Sequence, residues 1–280
     1  MPTLIMSYAV TQRSGAADMS MTYRGTVALI TGASAGLGVE FARQWAERGA
    51  DVVLVARRLD RLEELARDLE KRHGIRATPI AADLALPGAG AALHAELEAR
   101  GIRIQTLINN AGFGSHGPFL EQDPAQIDRM IQLNVAAVAG LTRAFLPDLA
   151  ADGRGALVTL ASTAAYQPTP AMAVYGATKA FVLSLTEAIA FETRASSLRV
   201  LAVSPGPTST EFFDVVGSQD AAVGKISTPG QVVSTARRAL ERGTTPPSVV
   251  AGIGNRLSAL ASGIAPRRLA LAVAGRALKA

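Results

Sequence analysis

Short β-branched runs alternate with longer stretches of helical periodicity from residue 27 to residue 251, and nothing else constrains the fold of this chain so tightly. Parallel strands need a crossover between them, and strands covered on both faces read as continuous apolar runs. The alternation therefore specifies a parallel sheet sandwiched between helices. Seven runs supply the strands: Val27–Ile30, Asp51–Val55, Ala77–Ala81, Thr106–Ile108, Ala156–Leu160, Arg199–Val203 and Ser248–Ala251. Between them, Leu62, Leu65, Ala66 and Leu69 recur at helical spacing before a stop at Gly74. Gly49 closes the helix that carries Phe41 and Trp45, and Thr228 with Pro229 opens another. The two aromatics read as core packing rather than as a ligand box.

Gly32, Ser34, Gly36, Leu37 and Gly38 belong to Thr31-Gly-Ala-Ser-Ala-Gly-Leu-Gly, which leaves the first strand and opens the first helix. Glycines there permit a sharp turn and let a pyrophosphate approach free helical N–H groups. The expected fold class is accordingly α/β, a Rossmann-like doubly wound, seven-stranded, mostly parallel sheet with helices on both faces. Gly32-Ala33-Ser34-Ala35-Gly36 also matches a serine nucleophile elbow. That chemistry needs an acid and then a histidine downstream; the last histidine is His116, so the match fails for want of parts. At the end of the second strand, where a carboxylate would accept bonds from a ribose 2′-hydroxyl, stands Ala56, followed by Arg57 and Arg58. Without that carboxylate a 2′-phosphate is not repelled, and a guanidinium can grip it with two bonds. Two solvated arginines at a helix start are the bland alternative. The binding reading makes NADP(H) the cofactor and Arg57 its main discriminator.

Further motifs follow in order between about Gly25 and Gly252: Asp83-Leu84, Asn109-Asn110-Ala111-Gly112, Asn134, Ser162, Tyr175-Gly-Ala-Thr-Lys179 and Pro205-Gly206. Together with the glycine segment they resemble the short-chain dehydrogenase/reductase family in its NADP-preferring type. The residues argue the chemistry as well. Tyr175 and Lys179 are four apart on a helical segment and share a face. A phenol is a poor base at neutral pH, but an ammonium beside it favours the phenolate. Tyr175 can then take or give the proton of an alcohol oxygen, and the Ser162 hydroxyl can stabilise charge on that oxygen. The resemblance implies an NADP(H)-dependent oxidoreductase that interconverts a hydrophobic ketone or aldehyde and its alcohol by hydride transfer. It further implies that Lys179 binds the nicotinamide ribose and that Asn134 holds a relay water. Asp83 and Leu84 would flank the adenine, and Asn110, Ala111 and Gly112 would line the cofactor's path. Pro205, Gly206, Thr208 and Thr210 would follow the nicotinamide side. The sequence departs from the family's NADP users at Ala35, where a basic residue is common, so the preference leans on Arg57.

Around the hydride position the chain supplies Phe113, Pro168, Met172, Phe212, Phe213 and Val215, an apolar lining. Lys225 is a candidate anchor for an anionic group, and His116 reads as an exposed loop residue. A catalytically silent NADP(H) sensor or scaffold is the alternative function. It would be expected to lack one of Asn134, Ser162, Tyr175 and Lys179, and all four are present.

Composition closes off other classes. Apolar residues make up 49% and charged residues 18% of the 280, an ordinary globular balance. The net charge of +5 is spread over single or paired arginines, and aromatic platforms are scarce, so no nucleic-acid partner is expected. Absence of cysteine excludes thiol chemistry, and His73, His94 and His116 lie too far apart to suggest a metal. The run Ala156 to Thr178 is broken by Pro168 and Pro170, no transmembrane segment is expected, and the location expected is cytoplasmic. Residues 1–22 read as a flexible leader and 23–253 as one domain, with an irregular substrate loop at about 207–228. The extension 254–280 reads as helical; it can pack on a second subunit, cover the site or lie on a membrane surface. Subunit contact is preferred. A homodimer or homotetramer is expected, since the family pairs through helices that begin near Pro124 and Met172.

Overall fold

In the computed structural model, which describes residues 21–217 and 226–278, the apolar runs form seven strands. These are β1 (Val27–Thr31), β2 (Asp51–Ala56), β3 (Ala77–Ala81), β4 (Thr106–Asn109), β5 (Ala156–Leu160), β6 (Arg199–Ser204) and β7 (Ser248–Val250). They lie in the order β3-β2-β1-β4-β5-β6-β7, and every neighbouring pair is parallel. The sheet is thus wholly parallel rather than mostly so, because at least one helix stands between each strand and the next. Strand ends differ from the sequence reading by single residues.

Among the described residues ten α-helices cover the sheet and its C-terminal edge: α1 (Gly36–Ala46), α2 (Leu59–His73), α3 (Ala89–Ala99), α4 (Pro124–Ile131), α5 (Val138–Asp152), α6 (Ala173–Glu192), α7 (Phe212–Val216), α8 (Pro229–Leu240), α9 (Ile253–Ile264) and α10 (Arg267–Ala277). Their punctuation follows the sequence. Gly74 ends α2 in the left-handed region, and Thr228 with Gln231 forms a reciprocal capping box ahead of Pro229. The helical stretches Pro124–Asp152 and Ala173–Glu192 are long and apolar enough to cross a membrane by length and composition alone. In the fold both pack against the sheet and its neighbouring helices.

Alternate strand residues feed opposite cores. Ile30, Leu54 and Val203 meet Phe41, Trp45, Leu62 and Val232 on one face. Leu29, Val53 and Val200 meet Leu97, Leu141, Phe145 and Ile189 on the other. Phe41 and Trp45 are fully buried, as core packing requires, and Met21 joins the same cluster although the sequence assigned it to the leader. Residues 1–20 of that leader lie outside the described residues.

The order in which strands are added reverses at β1, which pairs with β2 on one side and β4 on the other. A crevice opens beyond the carboxyl ends of strands at such a switch. The stretch read as an irregular loop carries the short α7, and its feet are tied by a parallel bridge between Thr208 and Ser227. Lys225 lies outside the described residues.

Candidate active site

The switch-point crevice is the mouth of a cleft of ≈ 1960 Å³ that runs from Arg57 and Arg58, just ahead of α2, to α10. A drug-sized pocket fills roughly 300–1,000 Å³, so the cleft has room for a dinucleotide and a second molecule beside it. Its phosphate end is built by backbone. Gly32 and Gly36 sit at φ of +67° and +53°, conformations that side chains resist. A Cβ on Gly38 would stand 2.2 Å from the Gly32 carbonyl oxygen, so the start of α1 can close on the strand only with glycine there. Asn110 braces the turn from below: its Nδ2 donates to the Thr31 and Gly32 carbonyls at 2.8 and 3.3 Å. The Thr31 hydroxyl accepts from the backbone N–H groups of Asn110 and Ala111 at 3.0 Å each.

Of the proposed cofactor residues, Ser34, Leu37, Arg57, Asp83, Leu84, Ala111, Gly112, Pro205, Gly206, Thr208 and Thr210 all line the cleft. Gly38 stays behind the wall as a packing residue. Arg57 is exposed, whereas its neighbour Arg58 turns inward. There Nε and Nη2 donate to Ser34 Oγ at 3.2 and 3.1 Å. Sequence reasoning placed the weight on Arg57; the structure adds Arg58, because this N-cap residue of α2, outside helical backbone, directs its side chain across the glycine turn. Asp83 lines the cleft beside Arg129, at 3.7 Å.

At the inner end, Ser162 leaves β5 and Tyr175 and Lys179 project from α6. Ser162 Oγ accepts the Ala164 N–H at 3.1 Å and lies within hydrogen-bonding influence of the Tyr175 hydroxyl. Lys179 Nζ donates to the Leu160 carbonyl at 2.6 Å and lies 5.8 Å from the centre of the Tyr175 ring. Burial pushes the Tyr175 phenol up to about 12, partly offset by the Ser162 bond, and pulls Lys179 down to about 8. In the chain alone burial governs the Tyr175 phenol, and Lys179 Nζ is turned toward a backbone carbonyl.

Asn134 sits in a π-helical turn, Gln132–Ala137, between α4 and α5. Its amide is spent on protein: Nδ2 donates to the Phe113 carbonyl at 2.8 Å and to Thr178 Oγ1 at 3.1 Å, while Oδ1 accepts the Phe113 N–H at 3.1 Å. It stitches the segment after β4 to the helix that carries Tyr175. A Cβ on Gly114 of that segment would stand 3.0 Å from both the Phe212 and Tyr175 rings, so a side chain there would have to push a ring back by a few tenths of an ångström.

Phe113, Met172, Phe212 and Phe213, expected to face substrate, line the inner end of the cleft, with the Phe212 and Tyr175 ring centres 5.4 Å apart. Pro168 does not reach the wall; its neighbours Gln167 and Thr169 do, because the side chains of an extended segment alternate. Val215 is a residue of α7. The surprise is the extension. Ile253, Asn255 and Ser258 of α9 and Leu269 and Val273 of α10 line the cleft, and Leu278 packs with Met130, Met172 and Tyr175. His116, read as an exposed loop residue, bonds through Nε2 with the Leu278 carbonyl at 3.3 Å and is half-buried. Within this chain the extension covers the cleft. No cluster suited to a metal ion occurs among the described residues.

These elements have known counterparts. The family model for short chain dehydrogenase matches residues 26–221. Sulfoacetaldehyde reductase 2 of Chromohalobacter salexigens is 37% identical over 188 residues, 66% of this chain and 74% of that protein. A very-long-chain 3-oxoacyl-CoA reductase of Neurospora crassa is 37% identical over 173 residues, 60% of this chain but only 52% of the relative. A solved short-chain dehydrogenase from Sphingobium yanoikuyae in complex with NADPH is 34% identical, with a TM-score of 0.75 over 89% of this chain and 95% of that one. The chain belongs to the short-chain dehydrogenase/reductase family and is an oxidoreductase of that family.

Proposed function

We propose that this protein is an NADP(H)-dependent reductase or dehydrogenase of hydrophobic ketones, aldehydes and their alcohols, with Tyr175 as general acid/base. One observation carries the reading: Ser162, Tyr175 and Lys179 converge at the buried end of a cleft whose other end holds a glycine turn, Ser34 and two arginines. The NADPH held by the Sphingobium relative supports the same cofactor here.

The residues fit that group. The glycine turn offers N–H groups to a pyrophosphate, Arg57 and Arg58 suit a 2′-phosphate, and Lys179 stands where it can meet a ribose hydroxyl. When bound, the nicotinamide supplies or accepts the hydride and, oxidised, a positive charge. The chain does the rest. Ser162 and Tyr175 both present hydroxyls to one point, so a substrate oxygen placed there receives two hydrogen bonds. In reduction Tyr175 gives its proton to that oxygen, a task suited to a phenol kept protonated by burial. In oxidation it takes the proton, and an ammonium at Lys179 stabilises the phenolate. Aromatic and aliphatic walls from Phe113, Met172, Phe212 and α10 favour an apolar substituent.

The test is a panel of apolar ketones and aldehydes followed by NADPH absorbance. Turnover is expected, and Tyr175→Phe should lower kcat/KM by about 10²–10⁴-fold with NADPH affinity unchanged. Full turnover in the variant would refute the assignment.

A further inference from the structure

Glu211 joins the two ends of the cleft. It directly precedes α7, between Thr210, whose side chain lies 3.0 Å from the position of a Cβ on Gly36, and Phe212, which packs on the Tyr175 ring. Its carboxylate reaches back to α2. Oε2 accepts Arg58 Nη1 at 3.1 Å, and Oε1 accepts Arg61 Nη1 at 2.7 Å. Arg58 is thereby shared, with Nη1 on Glu211 and with Nε and Nη2 on Ser34. The hydrogen bonds of Arg61 and then Arg58 hold the Glu211 carboxyl below its ordinary range, so it is ionised at neutral pH.

As a stability device this triad contributes little. All three side chains are between 41% and 46% exposed, and exposed pairs are worth little net. As a ligand site it has a definite chemistry. Two guanidinium groups and a serine hydroxyl form the donor set of a phosphate monoester, which carries nearly two negative charges and three acceptor oxygens. One carboxylate from the chain already satisfies part of that set.

We propose that Glu211 is a specificity-determining residue whose carboxylate occupies Arg58 and Arg61 as an internal stand-in for a 2′-phosphate. A 2′-phosphorylated ligand must displace it, and in doing so it frees the start of α7, with Phe212, from the cofactor end. A ligand without that phosphate leaves the ion pairs intact. Cofactor charge is thus read by the segment that walls the substrate end. Arg61, which the sequence did not single out, becomes part of the phosphate subsite. This inference rests on the NADP(H) reading, and its test separates the two.

The full chain is titrated calorimetrically with 2′,5′-ADP and with 5′-ADP, as wild type and as Glu211→Gln. Removing the competing charge should tighten 2′,5′-ADP about three- to tenfold, leave 5′-ADP unchanged, and show a gain that shrinks as salt rises. Unchanged or weaker binding of 2′,5′-ADP by Glu211→Gln overturns the proposal; weaker binding would make Glu211 a strap rather than a competitor. A wild type that binds both ligands equally contradicts the NADP(H) reading. Should Glu211→Gln then acquire a preference for 2′,5′-ADP, the stand-in role survives that contradiction; should it not, both fall. A Phe212→Trp reporter supplies a second readout, its emission expected to shift with 2′,5′-ADP and not with 5′-ADP. Equal response to both ligands would remove the coupling.

Discussion

The glycine turn at one end of the cleft is made of backbone from one short stretch, while the wall at the other end is made of side chains from segments scattered between Phe113 and Leu278. At the first, Gly32, Gly36 and Gly38 and the bracing Asn110 fix atoms whose positions depend on almost no rotamer. At the second, Phe113, Met172, Phe212 and Leu278 meet only because α7 and α10 fold over the sheet. The difference teaches where tolerance lies. A backbone cradle fails abruptly when one atom is added to it, whereas a side-chain wall can be reshaped residue by residue.

The sharpest way to break this contrast is Gly38→Ala. One methyl group against the Gly32 carbonyl must push α1 away from the strand. Dinucleotide affinity should fall about 100-fold, the order expected for a displacement near 1 Å. The melting temperature should fall by roughly 3–10 °C, from an overpacking penalty of about 1–3 kcal/mol. A variant that binds NADPH normally by calorimetry would show the cradle to be looser than its geometry.

Leu278→Ala addresses the other end. Loss of one apolar wall contact should raise KM for a bulky apolar substrate about tenfold. The dissociation constant for NADPH should stay within about twofold, measured by fluorescence quenching. A matching loss at both ends would merge the two regions into one.

Between them sits Lys179, whose buried ammonium titrates near 8 instead of 10.5. A lysine with a lowered folded-state value binds fewer protons folded than unfolded between those pH values, so its penalty fades as pH rises through that window. Lys179→Met should therefore stabilise the cofactor-free protein below pH 8, by on the order of 3 kcal/mol at most, and that gain should vanish by about pH 10.5. Denaturant midpoints across pH 7–10.5 measure it; a gain constant with pH would mean that the lysine is solvated. Tyr175 acts oppositely: with its value raised from 10.0 to about 12, its contribution is present below pH 10 and lost above it.

The smallest effect concerns Ala171, which holds φ of +60° at the rim beside Met172. Left-handed backbone costs an alanine about 1–2 kcal/mol, partly offset by the entropy a glycine loses on folding. Ala171→Gly should raise the melting temperature by about 2 °C. A lower melting temperature would indicate that the methyl group packs.

The same division explains what the sequence disclosed. The sheet, the glycine turn and the Tyr175–Lys179 pair are local patterns, a period or a spacing, and such patterns survive translation into three dimensions. The inward turn of Arg58, the ion pairs of Arg61 with Glu211 and the exclusion of Pro168 from the wall are matters of side-chain direction. Neighbours in sequence look alike until the helix start or the extended segment is oriented. The role of residues 253–278 was hidden for a different reason. Their apolar spacing marks helices, but the face they cover is set by tertiary packing alone.

The π-helical turn at Gln132–Ala137 is an extra residue frozen into an otherwise regular rod. Deleting one residue there would restore ordinary winding and would tempt anyone seeking a sturdier protein. The wide turn absorbs that residue, so the flanking helices would keep their phase and Leu141 and Phe145 would stay in the core. Asn134, which sits in the turn itself, would lose its bonds to Phe113. Robustness and activity therefore pull this helix in opposite directions, and the irregular winding records which of them prevailed.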